Sequence, residues 1–255
     1  GVFSNPLADP GIMGVSAGAS LGAVIAIALG FTSLGMFYMP AFAFVGAFVS
    51  VGITILLTLR NNKLDTTTLL LAGVAVSMLL GAFTSGILTM INEYRLREFL
   101  FWMVGGLDFR RWDHVLLAVG PIMTGSVILM MLGRHLNVLV LGDTEARALG
   151  VPVMVYRMLF LFLSSVITAT AVCVSGSIGF VGLVVPHIVR LLVGPDHRIL
   201  LPMAAIGGAL FLVFCDTLGR VVAQPVEIRV GIMTALLGAP YFLYLLHRLR
   251  SKGGA

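Results

Sequence analysis

Long stretches without a charge alternate with short stretches where charges gather. Residues 11–59, 66–91, 115–133, 158–189 and 230–246 contain no Asp, Glu, Lys or Arg. A helix that crosses the ~30 Å hydrocarbon core of a bilayer needs about 20 apolar residues, each rising about 1.5 Å. The first run therefore holds two helices, with Pro40 near the turn between them, and the second and third runs hold one each. The run at 158–189 is too long for one span and short for two. Gly176, Gly179 and Gly182 lie in its second half, so two closely joined helices are predicted, turning near 174–179. Residues 199–219, with Asp216 among them, and residues 230–246 complete eight spans. No strand alternation at barrel spacing occurs, so the spanning elements are helices.

Polar positions add an orientation. Short loops rich in Lys and Arg stay on the cytoplasmic side. One alternate set of loops carries Arg60, Lys63, Arg134, Arg147, Arg157, Arg190, Arg198, Arg248, Arg250 and Lys252; the other carries Arg95, Arg97, Arg110, Arg111, Arg220 and Arg229. The second set is offset by Glu93, Glu98, Asp108, Asp113, Asp216 and Glu227. The first set is predicted inside, which places the C-terminus in the cytoplasm.

Composition narrows the class. Of 255 residues, 59% are apolar and only 11% are charged, against roughly 25% charged in a soluble domain. Mean hydropathy is +1.07. A soluble domain, a disordered tail, a collagen-like fibre and a disulfide scaffold are excluded, leaving a polytopic membrane protein. The net charge of +5 is too thinly spread for a nucleic-acid surface. Cys173 and Cys215 lie far apart in apolar runs and offer neither a disulfide framework nor metal spacing. The chain opens without Met, on loop-like Gly1-Val2-Phe3-Ser4-Asn5-Pro6, so its true start is expected to be missing.

Few residues could carry chemistry. No phosphate-binding loop or dinucleotide fingerprint occurs, so nucleotide hydrolysis would belong to another subunit. Gly14-Val15-Ser16-Ala17-Gly18 matches a nucleophile-elbow pattern, but no strand precedes it. An intramembrane serine protease using Ser16, with His187 as the membrane-embedded base, stays open beside a plain small-residue packing face. Asp216 and Arg220 are one helical turn apart. They could pair structurally or mark a pathway. No Cys, His and Asp cluster in the membrane could hold a metal ion.

Two segments outside the spans stand out. The cytoplasmic stretch 134–157 includes Leu141-Gly142-Asp143-Thr144-Glu145-Ala146-Arg147-Ala148-Leu149-Gly150. It predicts a short helix with Asp143 as N-cap, Glu145 in the first turn and Gly150 as the stop just past the end. A helix this short must dock on something. On the other side, residues 93–114 are amphipathic and aromatic, as suits a membrane-interface helix or a lid.

These segments carry a resemblance. Asn5-Pro6-Leu7-Ala8-Asp9-Pro10-Gly11, Leu69-Leu70-Leu71-Ala72-Gly73-Val74, Phe101-Trp102-Met103-Val104-Gly105-Gly106 and the Leu141–Val151 stretch follow one another in order. Gly176-Ser177-Ile178-Gly179-Phe180-Val181-Gly182 through Pro186-His187, Gly194-Pro195-Asp196-His197-Arg198 and Gly238-Ala239-Pro240 complete the series. The chain resembles the iron-chelate and cobalamin permeases of the FecCD type over essentially its whole length.

The resemblance implies an all-α polytopic membrane bundle of the type II ABC importer permease kind, a ten-helix fold with about eight spans present here. Residues 1–255 then form one permease domain, with one or two helices before Gly1 implied to be missing, and 134–157 its cytoplasmic coupling loop. It implies no catalysis in this subunit and no cofactor, with ATP and Mg held by a partner ATPase. The implied partners are a second copy of the permease or a paralogue, two ATP-binding subunits, an extracytoplasmic substrate-binding protein and membrane lipid, with no nucleic acid. The implied setting is the cytoplasmic (inner) membrane. The implied cargo is an iron complex, a ferric siderophore or haem, with cobalamin the alternative within the family. Asn5 and Leu7 match cytoplasmic gate positions, and Thr66 and Thr67 a second constriction. Asp143, Glu145, Ala146, Arg147, Leu149 and Gly150 match the element that docks on the ATPase. Arg220 matches an outer arginine that pairs with a carboxylate of the binding protein. Arg229 stands where the family usually has Pro, and adds a second outer cation that could dock the binding protein or meet an anionic chelate. A secondary transporter is the third class of reading, but inverted repeats are not evident.

Overall fold

A computed structural model describes residues 10–60, 63–64 and 66–252. Eleven helices follow one another: α1 (Val15–Ala28), α2 (Tyr38–Thr58), α3 (Thr66–Leu88), α4 (Glu93–Met103), α5 (Trp112–Met131), α6 (Gly133–Val140), α7 (Asp143–Ala148), α8 (Val153–Ser175), α9 (Val181–Val193), α10 (His197–Val222) and α11 (Val230–Lys252). A two-residue antiparallel ladder, Leu59–Arg60 with Lys63–Leu64, joins α2 to α3.

The eight apolar helices match the eight expected spans in number and order. Five of them, α2, α3, α5, α8 and α10, are both long and apolar enough over their described residues to cross a bilayer. Pro40 lies in the first turn of α2, where a missing N–H leaves no helical bond unmade. The joined pair at 158–189 resolves into α8 and α9, separated by a non-helical stretch from Gly176 to Phe180. Both of those residues have positive φ, 75° and 67°. The departure is in length. α1 has 14 residues and α9 has 13, about 20 Å each at 1.5 Å per residue. The uncharged run that suggested full spans also contains an uncharged connector, Leu29 to Phe37.

α1 sits deepest. Val15, Ala19, Ala23, Val24 and Ile27 have no exposed surface, and with Ala43, Ala47, Phe99, Trp102 and Cys173 they build the main apolar core. α1 and α2 approach backbone to backbone: a Cβ on Gly46 would fall 2.2 Å from the Gly18 carbonyl oxygen, and one on Gly18 2.3 Å from that of Gly46. Such contact is how helices gain packing energy in lipid, where apolar side chains are no better off than in the bilayer. It also accounts for Gly18 in the elbow-like motif. Ser16 lies on α1, which packs on α2, α3 and α8, whereas His187 lies on α9, packed on α10 and α11 with its ring edge-on to Tyr241. Several hydroxyls within the spans are satisfied by a carbonyl one turn back, although the buried Ser50 hydroxyl makes no such bond. Thr54 Oγ1 donates to the Ser50 carbonyl at 3.0 Å, and Ser165 Oγ to that of Leu161 at 2.7 Å.

Candidate functional site

The bundle has two differently built ends. At one end α5 runs into α6 and α7 before α8 turns back. The expected helix at 143–150 forms, and its termination is as expected. Gly150 has φ +77°, its N–H donates to the Arg147 carbonyl at 2.9 Å, and Val151 N–H donates to the Ala146 carbonyl at 3.0 Å. This is a Schellman motif, and the apolar contact that accompanies such a motif is present between Val151 and Ala146 in one cluster. The start differs from expectation. Gly142, not Asp143, is the N-cap, and no side chain caps the helix. The Asp143 carboxylate is drawn instead to Arg157, accepting from Nη2 at 2.6 Å and from Nη1 at 3.3 Å. A two-point charge-assisted contact outcompetes a single backbone N–H. Arg147 adds a longer contact to the same carboxylate at 3.8 Å.

Only Ala146 of this short helix is buried; Thr144, Glu145, Arg147, Ala148, Leu149 and Gly150 face outward, Leu149 at 64% exposure. The stretch 134–157, expected as a loop with one helix, holds a second helix, α6. Leu136 and Leu139, three apart, are its buried face, while Arg134, His135 and Asn137 interrupt the apolar run and hide it from a search for spans. The His135 ring stacks on Tyr156 of α8, centroids 4.2 Å apart. Asn137 reaches the start of α10. Its Nδ2 donates to Asp196 Oδ1 at 2.7 Å, and its Oδ1 accepts the His197 backbone N–H at 2.9 Å. Asp196 caps α10 by accepting the Arg198 N–H at 3.0 Å. Hydrogen bonds from the Arg198 side chain and backbone, then from Asn137, hold the Asp196 carboxyl well below the usual carboxylate range.

Of the expected inner-gate residues, Asn5 and Leu7 lie outside the described residues. Thr66 begins α3, and Thr67 beside it is exposed. The turn Pro10–Met13, which follows Leu7 in the chain, packs on α3, with Met13, Leu69 and Leu161 buried together.

At the opposite end, α4 is shorter than the amphipathic segment suggested. It stops at Met103, and residues 104–111 form a loop before α5. Phe99 and Trp102 turn into the core while Tyr94, Leu100 and Phe101 are exposed. Arg220 makes the expected pair with Asp216, Nε to Oδ2 at 2.8 Å, and also approaches Asp108 at 3.6 Å. Its side chain remains 44% exposed. Arg229 turns toward α4. Its Nη1 donates to the Phe101 carbonyl, and its guanidinium lies 4.6 Å from the Phe101 ring centroid. That carbonyl is otherwise an orphan of the helix end, because Val104 N–H bonds to Leu100 and Gly105 N–H to Trp102. Burial, and then the nearby Arg229 charge, push the Arg110 guanidinium below its usual value. An apolar hollow of about 510 Å³ lies beside α11, lined by Val104, Gly231, Ile232, Ala235, Leu236, Ala239 and Pro240.

With this geometry in view, comparison with known proteins is decisive. The model of the FecCD transport family matches residues 1–248. The chain belongs to the FecCD transport family. Among its relatives in the family, the cobalamin import system permease protein BtuC of Halobacterium salinarum is 47% identical over 247 residues, which are 96% of this chain and 65% of that protein. The hemin transport system permease protein HmuU of Yersinia pestis is 45% identical over 258 residues, covering 99% of this chain and 76% of that one. The chain thus spans about two thirds to three quarters of the length of these relatives. A solved structure described as a metal-chelate type ABC transporter in an inward-facing conformation superposes with a TM-score of 0.90 at 34% identity, covering 97% of this chain and 78% of that one. Family and fold agree: the chain is an all-helical, multi-pass membrane protein of the FecCD family.

Asn137, Arg157, Asp108 and Phe101 were missed as site residues by sequence reasoning. Asn137 left a trace, as one of three polar residues among the leucines and valines of α6.

Proposed function

We propose that this chain is the transmembrane permease subunit of an ATP-binding-cassette importer that moves an iron complex, a ferric siderophore or haem, across the cytoplasmic membrane by alternating access. The observation that carries the reading is α7: a capped stub, pinned to its own bundle by Ala146 and Asp143, whose remaining face is exposed at the end of the helices. Two copies of the chain, or this chain and a paralogue, enclose the pathway. Two partner ATPases bind ATP and Mg, and the exposed residues Glu145, Arg147, Leu149 and Gly150 meet them. Asn5, Leu7, Thr66 and Thr67 close the inner mouth. Arg220, half exposed between two carboxylates, offers its charge to an acidic residue of an extracytoplasmic binding protein. The α7 end and the C-terminus are cytoplasmic. Hydrolysis belongs to the partner, and a weakly binding lining lets the cargo leave.

Cobalamin is the second reading, favoured by the 47% identity to a permease named for cobalamin import. The test is reconstitution of the full complex in liposomes, with uptake of haem, ferrichrome and cyanocobalamin measured with and without ATP. ATP-dependent uptake of haem or ferrichrome is expected, and uptake of cyanocobalamin alone moves the assignment to the second reading. Uptake that survives removal of the ATPase overturns both. Ser16→Ala leaves uptake unchanged if the chain is a permease, whereas loss of cleavage of a membrane substrate with uptake intact would revive a protease.

A further inference from the structure

The α6–α7 unit is fastened to the bundle at separate points that lead to different transmembrane helices. Asp143 on α7 holds Arg157 in the second turn of α8, and His135 on α6 stacks on the neighbouring Tyr156. The third fastening goes elsewhere. Asn137 spends both ends of its amide on the N-terminus of α10, donating to Asp196 and accepting the His197 N–H. The first N–H groups of a helix have no partner within it, so Asn137 completes from a second helix the cap that Asp196 begins. The backbones press together at the same place: a Cβ on Gly133, the first residue of α6, would lie 3.3 Å from the Arg198 nitrogen. Leu136, Leu139 and Ala146 share one buried cluster with Val153 and Phe160 of α8, so α6 and α7 are packed together as one plate.

α10 is the longest of the described helices at 26 residues, about 39 Å at 1.5 Å per residue. It carries Asp196 and His197 at the α7 end and Asp216 and Arg220 at the other. α9 and α11 pack on it. We propose that Asn137 is a positioning residue that locks the α6–α7 plate to the first turn of α10, so that a push on the exposed face of α7 reaches α10 as well as α8. One continuous helix then links the surface that meets the ATPase to the arginine that meets the binding protein. This rests on the permease reading above.

The test uses the assembled complex. Asn137→Asp keeps the acceptor for His197 but places a carboxylate against that of Asp196. It is expected to raise the ATP hydrolysed per haem or cyanocobalamin molecule moved by roughly 2- to 30-fold, the range found for changes along coupling networks. Adding Asp196→Asn restores a donor–acceptor pair and should return the ratio toward that of the unsubstituted complex. An unchanged ratio in Asn137→Asp, hydrolysis and transport falling in proportion, or no recovery in the double variant overturns the proposal. A second arm leaves Asn137 in place. Spin labels at A148C on α7 and I199C on α10, both exposed positions, should keep their separation when a non-hydrolysable ATP analogue binds. A change larger than the ~1–2 Å of an ordinary helix shift means that the lock opens, and overturns it. Absence of any ATP-dependent uptake in the unsubstituted complex removes the permease reading itself, a result distinct from failure of the lock.

Discussion

The two ends of this bundle are joined by different materials. At the α4 end main chain also meets main chain, beside the side-chain contacts of Arg220 and Arg229. Gly106 N–H donates to the Ser175 carbonyl at 2.8 Å, Ile228 N–H to that of Gly219 at 3.0 Å, and Gly231 N–H to that of Gly105 at 3.4 Å. At the α7 end the joints are side chains: Asp143 with Arg157, Asn137 with Asp196 and His197, His135 with Tyr156. Main-chain joints hold a geometry whatever the side chains are, which suits a frame presenting charge to a partner. Side-chain joints choose which helices are tied together and leave other faces free, which suits an element that is to be pushed.

If that contrast is sound, substitutions at one end should leave the other undisturbed. The largest effect is expected from Gly150→Pro. Proline cannot take φ +77° and removes the N–H that bonds Arg147, so the stop must be rebuilt at a cost of about 1–3 kcal/mol. Transport should fall by more than about tenfold, while affinity for the binding protein, measured by titration, stays as it was. A matching loss of binding-protein affinity would mean the ends are not separable.

Next in size is Arg229→Met. It orphans the Phe101 carbonyl and removes the cation from the ring, together about 1–2 kcal/mol. Amide hydrogen exchange across residues 100–106 should quicken by roughly 5- to 30-fold with exchange in α7 unchanged. Equal protection in that stretch would show that the main-chain joints hold α4 unaided.

Smallest is Arg220→Glu. An exposed ion pair contributes up to about 1 kcal/mol, so binding-protein affinity should drop about fivefold at low salt and the difference should fade as salt is raised. A loss that does not vary with salt would assign Arg220 to holding Asp108 and Asp216 in place rather than to docking.

What could be read from the chain follows the range of each interaction. The spans, the Gly150 stop and the Asp216–Arg220 pair are local, set by hydrocarbon thickness, by a backbone that requires φ > 0 and by one turn of helix. The Asp143–Arg157, Asn137–His197 and Arg229–Phe101 contacts bridge 14, 60 and 128 residues. No periodicity within one segment encodes them. The misplaced N-cap belongs to the same group, since Asp143 looks like a cap until its distant guanidinium is known. α6 was lost for a different reason, being too short and too polar to register beside runs of twenty apolar residues.

The abbreviated first and ninth helices bear on how the protein is made. A stretch of 10–14 apolar residues is ordinarily read as a buried or re-entrant segment rather than an independent crossing, and α1 has 14. During synthesis such a segment has little to hold it in lipid until its partner emerges. The Gly18–Gly46 contact offers it that partner in α2, and the two are expected to enter as a hairpin. A bulky residue at Gly46 would therefore register first as failed biogenesis, with chain degraded or mis-threaded before any question of transport arises.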